Sequence, residues 1–454
     1  MAESLASPVA AVILAAGKGT RMKSETHKVL HPIGGRPMLM HLMSSLGELL
    51  PQRTLVVVGD RAEQLQAALT GTGAELVVQQ PQLGTGHAVL QAVDAMPDFA
   101  GTTLILFGDV PLLTPATMKR LLEAVDRPGG PDIAVLAFRT DTPGAYGRVI
   151  ADADGTMHRI VEAKDASAEE LQVRLCNSGL MAVRSEHLGG WLRALRNDNA
   201  AGEYYLTDLI ALARESGRRA VVLEGSPEEV IGVNSRNELA VAEGLFQARY
   251  RQNLMALGVT LVAPESVFFS HDTEIGADTL VEPHVVFGPG VRIAAGATIR
   301  AFSHLEGAEV ASGCEVGPYA RLRPGTVLHQ GAKVGNFVET KKAVLGAGAK
   351  ANHLSYLGDA EIGAKANIGA GTITCNYDGF LKYRTVIGEG AFIGSNSSLV
   401  APVNIGAGAI VGAGSAVTKD VETDSLTLVR APQESKPGWA ARFRAQMQAR
   451  KDKR

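Results

Sequence analysis

Cysteine is scarce: Cys176, Cys314 and Cys375 are the three in 454 residues, and without a recurring spacing they suggest neither a disulfide framework nor a structural zinc site. A reducing cytoplasm fits that shortage. Net charge is nearly absent as well, 44 basic residues standing against 47 acidic ones for a formal −3. That balance removes any general electrostatic reason to expect nucleic acid or a membrane surface as partner and leaves small charged metabolites. Long apolar runs are missing. The stretch Val9 to Ala16 is too short to span a bilayer, and Glu3, with no basic residue before it, makes a poor signal-peptide start. The run reads as a buried strand.

What the chain has in abundance is a six-residue beat. Ile275, Val281, Phe287, Ile293, Ile299 and Leu305 keep it; it resumes one residue early at Val310, Val316, Leu322, Leu328 and Val334, and returns at Ile387, Ile393, Leu399, Ile405, Val411 and Val417. This period is too long for an α-helix and too sparse for strand alternation. It is the hexapeptide signature of a parallel β-helix, which buries its core by stacking coil on coil. Glycine directly after the apolar residue, as in Ile275-Gly276, Ile362-Gly363, Ile393-Gly394 and Ile405-Gly406, suits a corner because it has no Cβ. One rigid column is expected from about Ile275 to Val417. The interruption from Thr374 to Thr385, holding Cys375-Asn376-Tyr377-Asp378-Gly379, is expected to leave the column on its binding face.

The first half alternates apolar strands (Val9 to Leu14, Thr54 to Val58, Glu75 to Val78, Thr103 to Phe107, Ile133 to Phe138) with helical stretches such as Arg61 to Leu69 and Ala116 to Val125. The pattern predicts a mixed, mostly parallel sheet with helices on both faces, whose ligands bind beyond the carboxyl ends of its strands. After the first strand, Ala15-Ala16-Gly17-Lys18-Gly19-Thr20-Arg21-Met22 fits neither a dinucleotide fingerprint nor a P-loop. It remains a glycine-rich phosphate loop with Lys18, Arg21 and Lys28 close by. Gln79 to His87, Gly108-Asp109-Val110 and Tyr146-Gly147-Arg148 are further loops in suitable places, and Asp109 puts a carboxylate at a strand mouth, where a cation could sit. Ser235 to Glu238 has the form of a capping box and predicts a connecting helix. The expected division is 1–234, a linker helix 235–258, and 259–454, whose basic, helix-compatible tail from Trp439 reads as solvated.

Over almost its whole length the chain resembles the bifunctional bacterial N-acetylglucosamine-1-phosphate uridylyltransferase/glucosamine-1-phosphate N-acetyltransferases. The resemblance lies in Leu14 to Met22, Gln82-Leu83-Gly84-Thr85-Gly86-His87-Ala88, Phe107-Gly108-Asp109-Val110-Pro111, Asn336-Phe337-Val338-Glu339 and Asn367-Ile368-Gly369-Ala370-Gly371-Thr372. Ser178 in Asn177-Ser178-Gly179 departs from the commoner threonine and keeps the hydroxyl. The resemblance implies a left-handed column, trimers with composite sites, and two reactions that make UDP-N-acetylglucosamine, a peptidoglycan precursor. In the first half a sugar phosphate would attack UTP, with Arg21 and Lys28 serving the phosphates and Asp109 and Asn234 holding Mg²⁺. Leu14, Ala15, Ala16, Gly17 and Gly108 would line that site; Gln79, Gly84 and Thr85 would read uracil, and Gly147, Glu162 and Asn177 would hold the sugar. In the second half acetyl-CoA would acetylate glucosamine 1-phosphate, with His353 as the base, Arg323 and Lys341 on the sugar phosphate, and Tyr356 and Asn367 on the ring. Ala370, Asn376, Tyr377, Ser395, Ala413 and Arg430 would meet the acetyl group and coenzyme. Arg323, Lys341 and His353 stand whole multiples of six apart, which puts them on one face of the column if no coil between them carries an insertion.

Other readings are a nucleotidyltransferase with a purely structural or regulatory column, and a nucleotide sensor on a hexapeptide scaffold. A metal-dependent hexapeptide enzyme ranks last, because His271, His284, His304, His329 and His353 lack close metal spacing.

Overall fold

The computed structural model describes residues 7–453, so Glu3 lies outside the described residues. Two compact units divide within the helix Arg236–Ala256, the first ending at Tyr250 and the second starting at Arg251.

In the first unit, alternation along the strand Val9–Leu14 feeds two cores. Ala10, Val12 and Leu14 pack with the helices Thr85–Asp94, Ser185–Ala194 and Leu209–Glu215, whereas Val9, Ala11 and Ile13 pack with Met38–Gly47, Ala62–Leu69 and Pro115–Asp126. A strand buried on both faces must be central. It pairs in parallel with Arg53–Val58 and Thr102–Phe107, and the sheet is mostly parallel, Leu175–Arg184 running antiparallel between Thr102–Phe107 and Ile133–Arg139. The capping box forms in part: Ser235 Oγ accepts from Glu238 N–H at 3.3 Å, but Glu238 Oε2 reaches back to the N–H of Asn234, one residue before Ser235, at 2.7 Å. Leu239, Leu245 and Phe246 then cover Ile33, Met38, Leu112 and Val233, so the start of the connecting helix packs on the first unit through a small third cluster.

In the second unit, two-residue strands follow one another through three parallel ladders, and the chain returns to the same ladder after about eighteen residues, as in Ile275 beside Ile293 and Val281 beside Ile299. The early beat at Val310 is a coil one residue short, Ile293 pairing with Val310. The column runs further than the beat, from Thr260–Leu261 to Leu426–Thr427. Corners demand close backbone approach: a Cβ on Gly394 would lie 2.4 Å from Ala413 N. The corner after the Leu280–Val281 ladder carries His284, Phe302, Tyr319, Phe337 and Leu354, each at a positive φ of 51–60°. The rings of the first four stack 4.9–5.2 Å apart along an exposed edge. At the interruption Ile362 pairs with Ile387, and the extra residues form an ordered projection in which Asp378 accepts from the backbone N–H of Phe380 and Leu381. The tail forms the helix Trp439–Lys451, with no residue buried.

Candidate active sites

In the first unit a cavity of about 710 Å³ opens at the carboxyl end of the central strand, lined by residues that include Gly17, Lys18, Lys28, Gln79, Thr85 and Asp109, with Leu14, Ala15, Ala16 and Gly84 among the rest. The loop is shaped by close packing: Gly19 sits at φ 60°, and a Cβ there would lie 2.7 Å from Lys28 Cβ. Lys28 Nζ donates to Asp109 Oδ2 at 2.5 Å and to Asn234 Oδ1 at 2.9 Å, so three residues far apart in sequence converge. Arg21 is exposed on the Thr20–Met22 turn and does not line this cavity.

The loop Gln79 to Thr85 is clamped from outside the sequence motif. Gln79 Nε2 donates to Gly84 O at 2.9 Å and lies 3.2 Å from His87 Nδ1, which leaves Oε1 as the group Gln79 can offer a base, rather than a donor and acceptor together. Gly84, at φ 112°, lets Tyr204 approach so closely that a Cβ would be 2.7 Å from its carbonyl oxygen. Thr85 Oγ1 accepts from Leu206 N–H at 3.1 Å.

Gly147, Glu162 and Asn177 also come together, outside the residues lining the cavity. Asn177 N–H donates to Gly147 O at 2.9 Å, and a Cβ on Gly147 would sit 3.5 Å from the Glu162 carboxylate. Burial pushes the Glu162 carboxyl above its ordinary range; Thr207 Oγ1, donating at 3.3 Å, opposes that, and nearby Asp165, Asp208 and Glu203 add to it. Ser178 Oγ donates to Leu136 O at 2.6 Å, so the hydroxyl kept at this position has a partner.

In the second unit, His353 and the cationic pair lie on different faces, which corrects the one-face expectation. Six residues advance the chain by one face of a three-faced prism, so only about eighteen return it to the same face. Leu322 pairs with Thr340 and Lys341 with Gly358, which stacks Arg323, Lys341 and Tyr356's strand on one ladder, whereas His353 pairs with Asn336 on another. His353 ends its strand, and Tyr356 begins the next one around the corner.

Two partners were missed in the sequence. Asn336 Oδ1 lies 2.6 Å from His353 Nδ1, a geometry that holds the proton on Nδ1 and leaves Nε2 as the basic nitrogen. Glu339 Oε1 accepts from Arg323 NH1 at 2.8 Å. Asn336 stands one coil before His353 and Glu339 one coil after Arg323, relations visible only after coil length is known. Lys382, from the projecting loop, also joins the site: with Arg323 it crowds Lys341 and lowers that ammonium's affinity for its proton. Asn376 Nδ2 donates to Asp359 Oδ2 at 2.5 Å, beside Gly358.

The coenzyme candidates follow the corner that carries the aromatic stack. Gly371 N–H donates to Leu354 O, Asn396 N–H to Ala370 O, and Gly414 N–H to Ser395 O, coil above coil. Arg430 NH1 donates to Ala413 O at 2.8 Å at the top of this series. Asn367 lies on the His353 ladder between Lys350 and Phe392, and Tyr377 is exposed on the projection.

A lysine-lined cavity on a doubly covered α/β sheet and, further along the chain, a hexapeptide column carrying a histidine held by Asn336 together define a transferase of two modules. Residues 11–226 match the MobA-like NTP transferase domain, and residues 384–419 match the bacterial transferase hexapeptide family. The bifunctional protein GlmU of Sphingopyxis alaskensis is 61% identical over 445 residues, 98% of either chain. Those of Rhizorhabdus wittichii and Zymomonas mobilis are 60% and 54% identical over 98% and 96% of this chain, and over 98% of their own lengths. The chain belongs to the bifunctional GlmU family.

Proposed function

We propose that the chain makes UDP-N-acetylglucosamine in two steps, acetylating glucosamine 1-phosphate with acetyl-CoA and then transferring uridylyl from UTP to N-acetylglucosamine 1-phosphate. The observation that carries this reading is that each half has its own chemical kit: a cation-lined phosphate cavity in one, and an oriented histidine beside a cationic cluster in the other. No helix is long and apolar enough to cross a membrane among the described residues. We assign the protein to the cytoplasm.

In uridylyl transfer, a phosphate oxygen of the sugar phosphate forms a bond to the α-phosphorus and the bond to pyrophosphate breaks. The nucleophile is already anionic, so positioning and charge neutralisation suffice. Gln79, Gly84 and Thr85 set the base; Gly147, Glu162 and Asn177 hold the sugar; Lys28 meets the phosphates from the cavity wall, and Arg21 would have to reach them from the exposed Thr20–Met22 turn outside it. Asp109 and Asn234 fit a Mg²⁺ ion, because two hard oxygens already converge on one cation, the Lys28 ammonium. When bound there, Mg²⁺ would offset the charge that builds on the phosphates. Among the described residues no three His, Cys, Asp or Glu side chains gather as a ligand set.

In acetyl transfer, His353 Nε2 takes a proton from the sugar's ammonium, the freed amine forms a C–N bond to the thioester carbonyl as the C–S bond breaks, and the second proton lost by the nitrogen goes to the departing sulfur, so coenzyme A leaves as the thiol. Asn336 keeps the imidazole in the competent tautomer. Arg323, Lys341 and Lys382 form a nest for the sugar phosphate, Tyr356 and Asn367 meet the ring, and Asn376, Tyr377, Ser395, Ala413 and Arg430 meet acetyl-CoA. The exposed corner supports assembly as a homotrimer with acetyl sites shared between columns.

The test is a separate assay of each step. Asp109→Ala should lose uridylyl transfer and keep acetylation; His353→Ala should do the reverse, falling by about 10²–10⁴-fold. Equal loss of both activities in either variant would sink the two-site reading.

A further inference from the structure

We propose that Lys28 competes for the divalent-cation position: in the cation-free protein its ammonium occupies the place between Asp109 and Asn234, and a metal ion enters as Lys28 leaves for phosphate. This rests on the metal site proposed above. The two oxygens accept from Nζ at 2.5 and 2.9 Å, so they are held together by one positive group. An ion coordinating both at about 2.0–2.1 Å would stand against that ammonium, and two like charges at such a separation repel strongly in a partly enclosed site. Side chains of Lys28 and Asp109 are 12% and 15% exposed, so solvent screens the pair little.

The backbone of Lys28 cannot move away as a whole. Its neighbour Val29 is buried, Leu30 N–H donates to His27 O at 2.9 Å, His27 N–H donates to Gln64 Oε1 at 2.7 Å, and Gly19 packs directly on the Lys28 stem. Only the four-carbon arm is left to swing, and it lines the same cavity as Gly17 and Lys18, where an anionic phosphate would draw it. The exchange therefore orders binding: phosphate pulls the ammonium off, and the same event bares the oxygens to the ion. It also keeps a partly buried carboxylate paired in the absence of ligand, which an unpaired charge there would make costly.

Mn²⁺, titrated into nucleotide-free protein and followed by the paramagnetic resonance of the free ion, tests this. Lys28→Met and Lys28→Gln should each bind Mn²⁺ on the order of tenfold more tightly than the parent chain, the size expected for removing a charge-assisted competitor. In the unaltered protein, Mn²⁺ saturation should speed acylation of Lys28 relative to exposed Lys23, read by peptide mass spectrometry, and this arm decides the matter if the variants fail to fold. Folded variants that bind no more tightly, or a Lys28 that Mn²⁺ leaves equally or better protected, would overturn the competition while leaving the metal site standing. Asp109→Asn should lose Mn²⁺; if it binds like the parent, the metal site itself falls, and the competition with it.

Discussion

Replacing Asn336 with alanine removes the group that accepts from His353 Nδ1 at 2.6 Å and touches nothing else in the proposed acetylation chemistry. While the imidazole is neutral, that hydrogen bond contributes about 0.5–1.5 kcal/mol, and once Nε2 has taken a proton it becomes charge-assisted, about 1.5–3 kcal/mol. The part felt only in the transition state is the difference, about 1–2 kcal/mol, or roughly 5–30-fold in kcat. Asn336→Ala should therefore slow acetyl transfer by that factor, well short of the loss from deleting the base. Coenzyme A release, followed with a thiol reagent at saturating acetyl-CoA, measures it. Asn336→Asp, which keeps an acceptor facing Nδ1, should retain more of the rate than Asn336→Ala. Uridylyl transfer should not change. An Asn336→Ala enzyme as damaged as His353→Ala, or one whose rate is unmoved, would refute the assignment of Nε2 as the base held by Asn336.

Two further outcomes follow from charge placement. Burial raises the proton affinity of Glu162 in the folded state above its unfolded value, so the stability cost of its charge is absent below the unfolded range and grows as pH rises through the folded one. Glu162→Gln should melt higher than the parent at pH 8, with the gain vanishing toward pH 4, while binding N-acetylglucosamine 1-phosphate more weakly; a calorimetric gain independent of pH would contradict this. For shared acetyl sites, Arg323→Ala and Arg430→Ala chains unfolded together and refolded should regain acetylation that neither regains alone; no recovery in proven mixed trimers would count against those two arginines serving one site from different chains.

How much could be read in advance depended on whether a residue's role is written locally. The hexapeptide beat was legible because a narrow prism admits one large apolar side chain per face, as at Ile275 and Val281, and the alternating strands of the first half were legible because Val9–Leu14 must feed two cores. The column's ends were not. Leu261 pairs with Val281, twenty positions on, so the first coil is off the beat. The face of His353 was misjudged because periodicity counts residues and not corners. Asn336, seventeen residues from His353, and Lys382, carried in on the projection, are partners by register and by loop shape, neither of which leaves a mark in adjacent sequence. Thr85 finds its partner at Leu206, across 121 positions, through tertiary packing alone.

Unequal coils have a consequence for heredity. Ile293 to Val310 and Leu345 to Ile362 close a coil in seventeen residues, Ile275 to Ile293 in eighteen, and Ile362 to Ile387 in twenty-five, yet the ladders stay aligned on either side. A deletion or insertion confined to a corner is thus absorbed within its own coil instead of displacing every residue that follows. Lineages can lengthen the projection or trim a corner one codon at a time, while Asn336 stays one coil before His353 and Glu339 one coil after Arg323.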